Sequence, residues 1–394
     1  MTCLQFSGLA FGIPKEIMSG ERRVSAIPET VDALIAGGAR VILESGAGEG
    51  SFITDDEYEK AGAEIVSGPQ AVFSNSDIIL KVKEPAFNQE LEMHEVDMMH
   101  AGQTLVTFIH PAAPSNHNMV RKLADKGVVS FTLDSIPRIS RAQGMDALTS
   151  MSTVAGYKSV IIAANVLTKF VPMVGTAVGM LKPSTALVIG AGVAGLQAAA
   201  TAKRLGAVVY ALDIRPDAIE NAKSLGVKVI ETGIPAEIAV GEGGYAKMLP
   251  EEWLIKERAI IEETAKNADI IIACALVPGK VAPILITESM VKQMKPGSVI
   301  IDISIDQGGN CDLTVGAEIV KRYDVIIDGT KNIPGMVPTS ATWMFARNIF
   351  NFVSYFIIEG NVQINLEDEI TGSSIVTKDG EILHVGAREA MGLD

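Results

Sequence analysis

Short apolar, β-branched runs alternate with amphipathic stretches from Leu9 to Asp134. The runs LAFGI, ARVILES, AEIVS, DIILKVK, QTLVTFIH and GVVSFTLD read as strands with helices between them. Such strict alternation predicts a parallel, doubly wound α/β sheet. Pro28 and Glu29 open the first helix, where proline's fixed φ suits the first turn. After Pro137 the pattern changes, and Met145 to Phe170 reads as one long helix. It is apolar over much of its surface, which predicts burial between domains. A second series of strands follows, from TALVIG through VKVIE, ADIIIACA, GSVIIDIS and YDVIIDG, and a second long helix runs from about Ser340 to Ile358. The tail from Asn361 alternates at period two about Lys378-Asp379-Gly380, as an appended hairpin would. The expected fold is therefore α/β, with two doubly wound, Rossmann-like domains and a cleft between their sheets. Residues 1–138 with 338–394 form a discontinuous first domain, residues 139–337 a second, and the C-terminal hairpin returns to the first.

Within the second domain, Thr185 to Asp213 reads strand, glycine-rich turn, Ala-rich helix, strand, acid. Gly190 allows a tight turn, Gly192 leaves backbone open to a pyrophosphate, and Gly195 lets the helix approach the strand. The phosphates then meet the N–H groups of the helix start at Val193 and Ala194. Asp213, at the end of the second strand, is placed to accept hydrogen bonds from ribose hydroxyls and to repel a 2′-phosphate, so NAD(H) is expected rather than NADP(H). Ile214 lies beside it. Arg215 is the contrary signal, since an arginine there accommodates a 2′-phosphate; its simpler reading is a solvated residue opening the helix at Pro216.

The formal charge of −14 and the absence of a basic footprint exclude nucleic acid as a partner class. Cys3, Cys274 and Cys311 are scattered, with no CxxC and no histidine cluster, so neither a metal site nor a disulfide framework is indicated and a reducing, cytoplasmic setting is expected. The start, MTCLQFSGLAFGIPKE, has no basic region ahead of an apolar run, so no secretory signal is expected, and Arg347, Asn348 and Asn351 interrupt the apolar stretch from Trp343 to Ile358.

Outside the glycine-rich unit, four segments carry candidate chemistry. PKEIMSGERRVSAIP holds Arg22 and Arg23, KVKEP places Lys83 at a strand end, and FIHPAA places His110 at the end of the next strand. Ligands of open α/β sheets bind beyond the carboxyl ends of strands, so these basic groups converge on one region. Each also has a plainer reading: a solvated strand-end cation, or a histidine capping a helix. In the fourth segment, PRISRAQGMDALTSMSTVAGY, Arg138, Arg141, Gln143 and Asp146 crowd one loop. A side-chain amide such as Gln143 matches the donors and acceptors of a nicotinamide carboxamide, while Asp146 equally suits the start of a helix.

With RAQGMDALTS, GAGVAGLQAAATAKRLGA and GEGGYAKML in view, the chain resembles, over essentially its whole length, the NAD(H)-binding component (the α subunit or its first portion) of proton-translocating nicotinamide nucleotide transhydrogenase. More distantly it resembles the alanine dehydrogenases. The resemblance implies that Arg138, Gln143 and Asp146 face the nicotinamide, that Tyr157 belongs to the same region, and that Thr149 keeps the hydroxyl of the family's usual serine. Met151 replaces a glutamine. Gly241 to Leu249, with Tyr245, matches a mobile loop that folds over nucleotide. Ala275, Leu276, Pro278 and Gly279 match the turn beside the nicotinamide ribose. Asp306 in SIDQGGN and the stretch IPGMVP lean toward the alanine dehydrogenase pattern, where Arg23, Lys83 and His110 would bind and protonate an oxo acid.

By this resemblance the chain is expected to exchange hydride between its NAD(H) and an NADP(H) held by a partner subunit. The expected setting is a homodimer, peripheral to the membrane through membrane-spanning partners, the second portion of the α subunit and the β subunit. Two alternatives stay open: an alanine or similar amino-acid dehydrogenase using Lys83, His110 and Asp306, and a regulatory subunit that binds NAD without turnover.

Overall fold

The computed structural model describes residues 4–241, 244–277 and 280–393. The chain forms two compact units, Met1–Met151 with Gly335–Asp394, and Ser152–Pro334. Among the described residues the first carries an eight-stranded sheet and the second a seven-stranded one.

In the first sheet the strands lie in the order Glu381–Ile382, Ile375–Lys378, Val129–Thr132, Thr104–Thr107, Ile78–Leu80, Ala10–Ile13, Arg40–Glu44, Glu64–Val66. The six strands before residue 133 are mutually parallel, and the C-terminal hairpin adds to the edge antiparallel. Chain order reverses between Ala10–Ile13 and Ile78–Leu80, so the loops leaving these strands, Pro14 to Pro28 and Lys81 to Pro85, flank a switch point where α/β sheets bind ligands.

The second sheet repeats this plan. Its order is Lys228–Ile230, Val208–Leu212, Thr185–Ile189, Ile270–Ala273, Val299–Asp302, Val325–Asp328, Ile319–Arg322, and the last strand is antiparallel. Its switch point lies between Thr185–Ile189 and Ile270–Ala273, which lead into Gly190 and Cys274. The central strands are apolar apart from Thr185 and Asp302 at their ends, because both faces are covered. Leu187, Ile189, Ile271 and Ala273 pack into one core, and Ala186, Val188, Ile270 and Ile272 into the other, as a side-chain period of two requires.

The helix Val193–Arg204 buries Gly195, Ala198, Ala199 and Ala202, a stripe of small side chains at spacings of three and four that lets it lie close to the sheet. The two long helices span Ala147–Val166 and Pro338–Phe356. The latter packs aromatic rings onto the first sheet, with Phe356 stacked on Phe131 at 4.8 Å and Phe345 at 5.5 Å from Phe108.

The tail departs from the sequence expectation. The hairpin is confined to Ile375–Lys378 and Glu381–Ile382, and its first strand is buried at three successive positions rather than alternately. Upstream, Asn361–Val362 pairs with Ile357–Ile358, and Glu369–Ser374 is helical because the Asp368 carboxylate accepts the backbone N–H groups of Ile370 and Thr371. A further helix, Val385–Met391, follows the hairpin.

Candidate functional site

In the second unit the three glycines have different surroundings. Gly190 has φ +91°, and a side chain there would meet the backbone of Ala275 at 2.9 Å. A Cβ on Gly195 would lie 1.8 Å from the Gly190 carbonyl oxygen, so only glycine allows the helix this approach. Gly156, on the long helix, meets the Ala194 carbonyl in the same way, at 2.1 Å. Gly192 differs: among the described residues, a Cβ would find within 4 Å only the Arg215 guanidinium, at 3.7 Å. Gly192 is also the N-cap of Val193–Arg204, so its backbone and the helix start, Val193 and Ala194, form a cradle that a dinucleotide pyrophosphate fits.

Asp213 ties the turn to the neighbouring strand. One carboxylate oxygen accepts the Ala191 N–H at 2.7 Å and Arg215 Nη2 at 3.0 Å; the other accepts the Arg215 backbone N–H at 2.9 Å and its Nε at 3.0 Å. Arg215 is therefore not the solvated helix opener its position suggested. Its side chain is only 11% exposed and forms a bidentate pair with Asp213, because burial leaves each charge better satisfied by the other than by water. Ile214 packs on the adjoining core. Glu257, buried on the helix Glu251–Ala265, is pushed up to about 7 by burial and by the Asp213 charge, against a smaller opposing effect of Arg258. Beneath the turn the Cys274 thiol donates to the Gly190 carbonyl at 3.0 Å, and burial raises its pKa, which suits packing rather than reactivity.

The turn after Ala273 is held by Asn310, which bonds both backbone groups of Ala275. Asn310 in turn has its backbone N–H on Asp302, which also accepts from Cys311 N–H and the Thr314 hydroxyl. Leu276 is exposed; Pro278 and Gly279 lie outside the described residues. Asp306 is exposed in the turn Ile303–Gln307, so the buried acid of this stretch is Asp302. In the loop matched to a lid, Glu242 and Gly243 lie outside the described residues. Its base is closed by the Gly241 N–H donating to the Tyr245 carbonyl at 2.8 Å and by the Val240–Ala246 bridge. Tyr157 is exposed on the long helix.

The first unit holds the other candidates. Lys83 and His110 each lie three residues past their strands, which end at Leu80 and Thr107, not at the strand ends themselves. The Thr107 hydroxyl donates to the Lys83 carbonyl at 2.9 Å and joins the two loops. His110 adopts φ +49° and its Nδ1 lies 2.7 Å from Asp134. Burial pushes the imidazole pKa down, but Asp134 outweighs it and the net shift is upward. Asp134 is lowered to about 2: burial opposes, while His110 and donors from Thr132 and the His110 backbone prevail. Arg23 is buried, with Nε and Nη2 on Glu21 at 2.8 and 2.5 Å and Nη1 at 3.0 Å from the Met151 sulfur. Met151 thus keeps a polar contact, through its sulfur, where the resemblance left one in doubt. A buried triad completes the floor, with Lys81 Nζ 2.8 Å from Glu95 and 3.3 Å from Glu16.

In the RAQGMD loop, Arg138 and Gln143 are exposed. The Gly144 carbonyl accepts the amides of Asn348 and Asn351, each at 2.9 Å. Arg141 pairs with Asp368 and Glu369. Asp146 accepts both the Thr149 backbone N–H at 2.8 Å and its hydroxyl at 2.6 Å, so it starts the helix Ala147–Val166 and already engages the Thr149 hydroxyl. Sequence reasoning missed Glu21, Asp134, Asn310 and Asp302. Glu21, two residues before Arg23 in GERR, and Asn310, which closes SIDQGGN, carried a nearby signal.

Two sheets of similar winding and a glycine cradle at a switch point define a dinucleotide-fold protein of two Rossmann-like units. Residues 12–155 match the family described as alanine dehydrogenase/PNT, N-terminal domain, and residues 159–385 match alanine dehydrogenase/PNT, C-terminal domain. The chain belongs to this alanine dehydrogenase/PNT family. It is 43% identical to the protein of Rhodospirillum rubrum named as the first part of NAD(P) transhydrogenase subunit alpha, over 95% of this chain and 98% of that one. It is 31% identical to the alanine dehydrogenase of Bacillus subtilis, over 98% and 96%. Among solved structures, the transhydrogenase from Sinorhizobium meliloti superimposes with a TM-score of 0.81 at 35% identity, covering 95% of this chain and 99% of that one.

Proposed function

We propose that the chain is the NAD(H)-binding subunit of a transhydrogenase. The observation that carries this reading is the glycine cradle, in which Gly192 alone of the three glycines leaves its backbone open for a phosphate. When bound, the nicotinamide supplies the chemistry: hydride passes between NAD(H) here and NADP(H) held on a partner subunit, one ring oxidised as the other is reduced. Asp213 selects the adenosine ribose, and the helix start at Val193 and Ala194 holds the phosphates. Arg138, Gln143, Asp146 and Thr149 act in orienting the nicotinamide end, with Ala275, Leu276, Pro278 and Gly279 beside its ribose and Tyr245 on a covering loop. No acid or base is required of the protein, which accords with exposed Gln143 and Arg138 rather than a buried proton donor.

The Rhodospirillum rubrum relative is named as one portion of a subunit, which favours assembly with further chains: the membrane-spanning remainder of the α subunit and the β subunit of the proposal. No helix among the described residues is long and apolar enough to cross a membrane, so proton translocation is assigned to those partners, with this chain peripheral at the cytoplasmic face. A homodimer is supported by the hairpin Val174–Thr176/Gly179–Leu181, whose surroundings leave Val178 99%, Met180 70% and Met173 60% exposed.

A second reading, an amino-acid dehydrogenase acting through Arg23, Lys83, His110 and Asp306, draws on the His110–Asp134 pair, which orients an imidazole as acid–base catalysis needs. Against it, Arg23 is held by Glu21 and Met151, which an oxo-acid carboxylate would have to displace. The test is NADH fluorescence titration alongside NADH oxidation with pyruvate and ammonia by the purified chain. Saturable NADH binding with no pyruvate-dependent turnover supports the proposal, and turnover by the chain alone contradicts it.

A further inference from the structure

The Asp213 carboxylate has about four lone-pair positions, and all are taken: by Ala191 N–H, Arg215 N–H, Arg215 Nε and Arg215 Nη2, at 2.7 to 3.0 Å. Ribose hydroxyls must donate to the same oxygens. The guanidinium also lies 3.7 Å from the point where a Gly192 side chain would begin, so it covers the opening that the glycine provides. At 11% exposure the pair is partly withdrawn from solvent, where bidentate charge-assisted bonds are strong. Nucleotide and Arg215 therefore compete for one carboxylate.

We propose that Arg215 is a specificity-determining residue that closes the ribose site from within: it holds Asp213 in the free protein, and NADH binds as the guanidinium leaves. The proposal rests on the NAD(H) reading of this site. The released guanidinium is a cation beside the ribose 2′ position. It lowers NADH affinity by the pairing that must be broken, and it lessens the repulsion between Asp213 and the 2′-phosphate of NADPH. Arg215 thus narrows the preference for NADH that Asp213 alone would impose.

Isothermal titration calorimetry with NADH and with NADPH, on the parent chain, Arg215→Met and Arg215→Lys, tests this, with circular dichroism as the check of folding. Arg215→Met keeps the aliphatic stem and is expected to bind NADH about 10-fold more tightly, the scale of one charge-assisted bond. It is expected to bind NADPH about 10-fold more weakly. A residue that merely supported the fold would shift both nucleotides in the same direction. Arg215→Lys keeps the charge without the fork, and is expected to bind NADH roughly 3-fold more tightly while NADPH stays at the parent level. If the Met variant does not fold, the Lys variant decides. Parent binding with NADH affinity unchanged or weakened in the folded variant overturns the proposal alone. Absence of NADH binding by parent and variants overturns the NAD(H) reading and the proposal with it.

Discussion

The side-chain amide of Asn310 pairs with both backbone groups of Ala275: Oδ1 accepts its N–H and Nδ2 donates to its carbonyl, each at 2.9 Å. Nδ2 also reaches the Pro283 carbonyl at 2.9 Å and Oδ1 accepts the Ser304 hydroxyl at 2.7 Å, so one buried amide fixes the start of the loop proposed to flank the nicotinamide ribose. Asn310→Ala leaves these buried groups unpaired and is expected to destabilise the second unit by about 2–4 kcal/mol. Urea denaturation followed by circular dichroism measures this; an unchanged midpoint would show that the clamp contributes nothing.

Gly192 and Gly195 give opposite expectations for one methyl group. Gly195→Ala places a carbon against the Gly190 carbonyl and is expected to lower the melting temperature steeply. Gly192→Ala meets, among the described residues, only the Arg215 guanidinium at an ordinary contact distance of 3.7 Å, so its melting temperature stays near the parent value while NADH binding weakens by at least about 10-fold, the methyl standing where a phosphate must approach. Thermal melting and NADH titration of both variants check the pair. Intact NADH affinity in Gly192→Ala contradicts the placement of the phosphates.

The central strands of both sheets were legible because fully covered parallel strands are continuous apolar runs, whereas the antiparallel edge strand Ile319–Arg322, largely exposed, was not; the turn was legible because steric need restricts Gly190 and Gly195 to one residue type. Asp213 was legible by its distance from the turn. Its partner was not: whether Arg215 folds back on Asp213 or points to water depends on burial created by the opposite side of the turn, which no local pattern encodes. Asn310 and Asp302 escaped notice for a similar reason. Asn310 serves backbone groups of Ala275, some 35 residues earlier in sequence, and Asp302 in turn holds Asn310. The Asn361 to Ser374 stretch misled because alternation continues across a segment where Asp368 caps a helix instead.

The His110–Asp134 pair predicts a titration with a definite sign. Asp134 raises the imidazole pKa above its ordinary 6.5 and is itself lowered to about 2. The histidine's contribution to stability is full below pH 6.5 and is lost as pH rises through its raised folded value. The aspartate's is present above its ordinary 3.8 and is lost as pH falls through about 2. By NMR titration, Asp134→Asn should move the His110 midpoint below that of the parent, because the largest upward influence on the imidazole is removed and only the weaker one of Glu84 is left against desolvation and Lys83. A midpoint unmoved by the substitution would remove Asp134 as the cause.

Glu257 acts with the opposite sign. Its folded pKa of about 7 exceeds the ordinary 4.5, so the folded state holds a proton that the unfolded chain releases, and stability falls as pH rises from 4.5 to about 7. Glu257→Gln should remove this decline, gaining on the order of 2–3 kcal/mol relative to the parent at about pH 8. Denaturation midpoints at about pH 5 and about pH 8, on either side of the folded value, measure it. Equal pH slopes in parent and variant would place the strain elsewhere.

The central claim, direct exchange with a partner-bound nucleotide, is tested by stopped-flow mixing of the NADH-loaded chain with the separate NADP(H)-binding component of a transhydrogenase carrying an oxidised NADP analogue. The account predicts rapid reduction of the analogue, deuterium delivered to it from NADH labelled at the transferred position, and strong slowing by Gln143→Ala with NADH affinity nearly retained. NADH bound at full occupancy with no label reaching the analogue would contradict it.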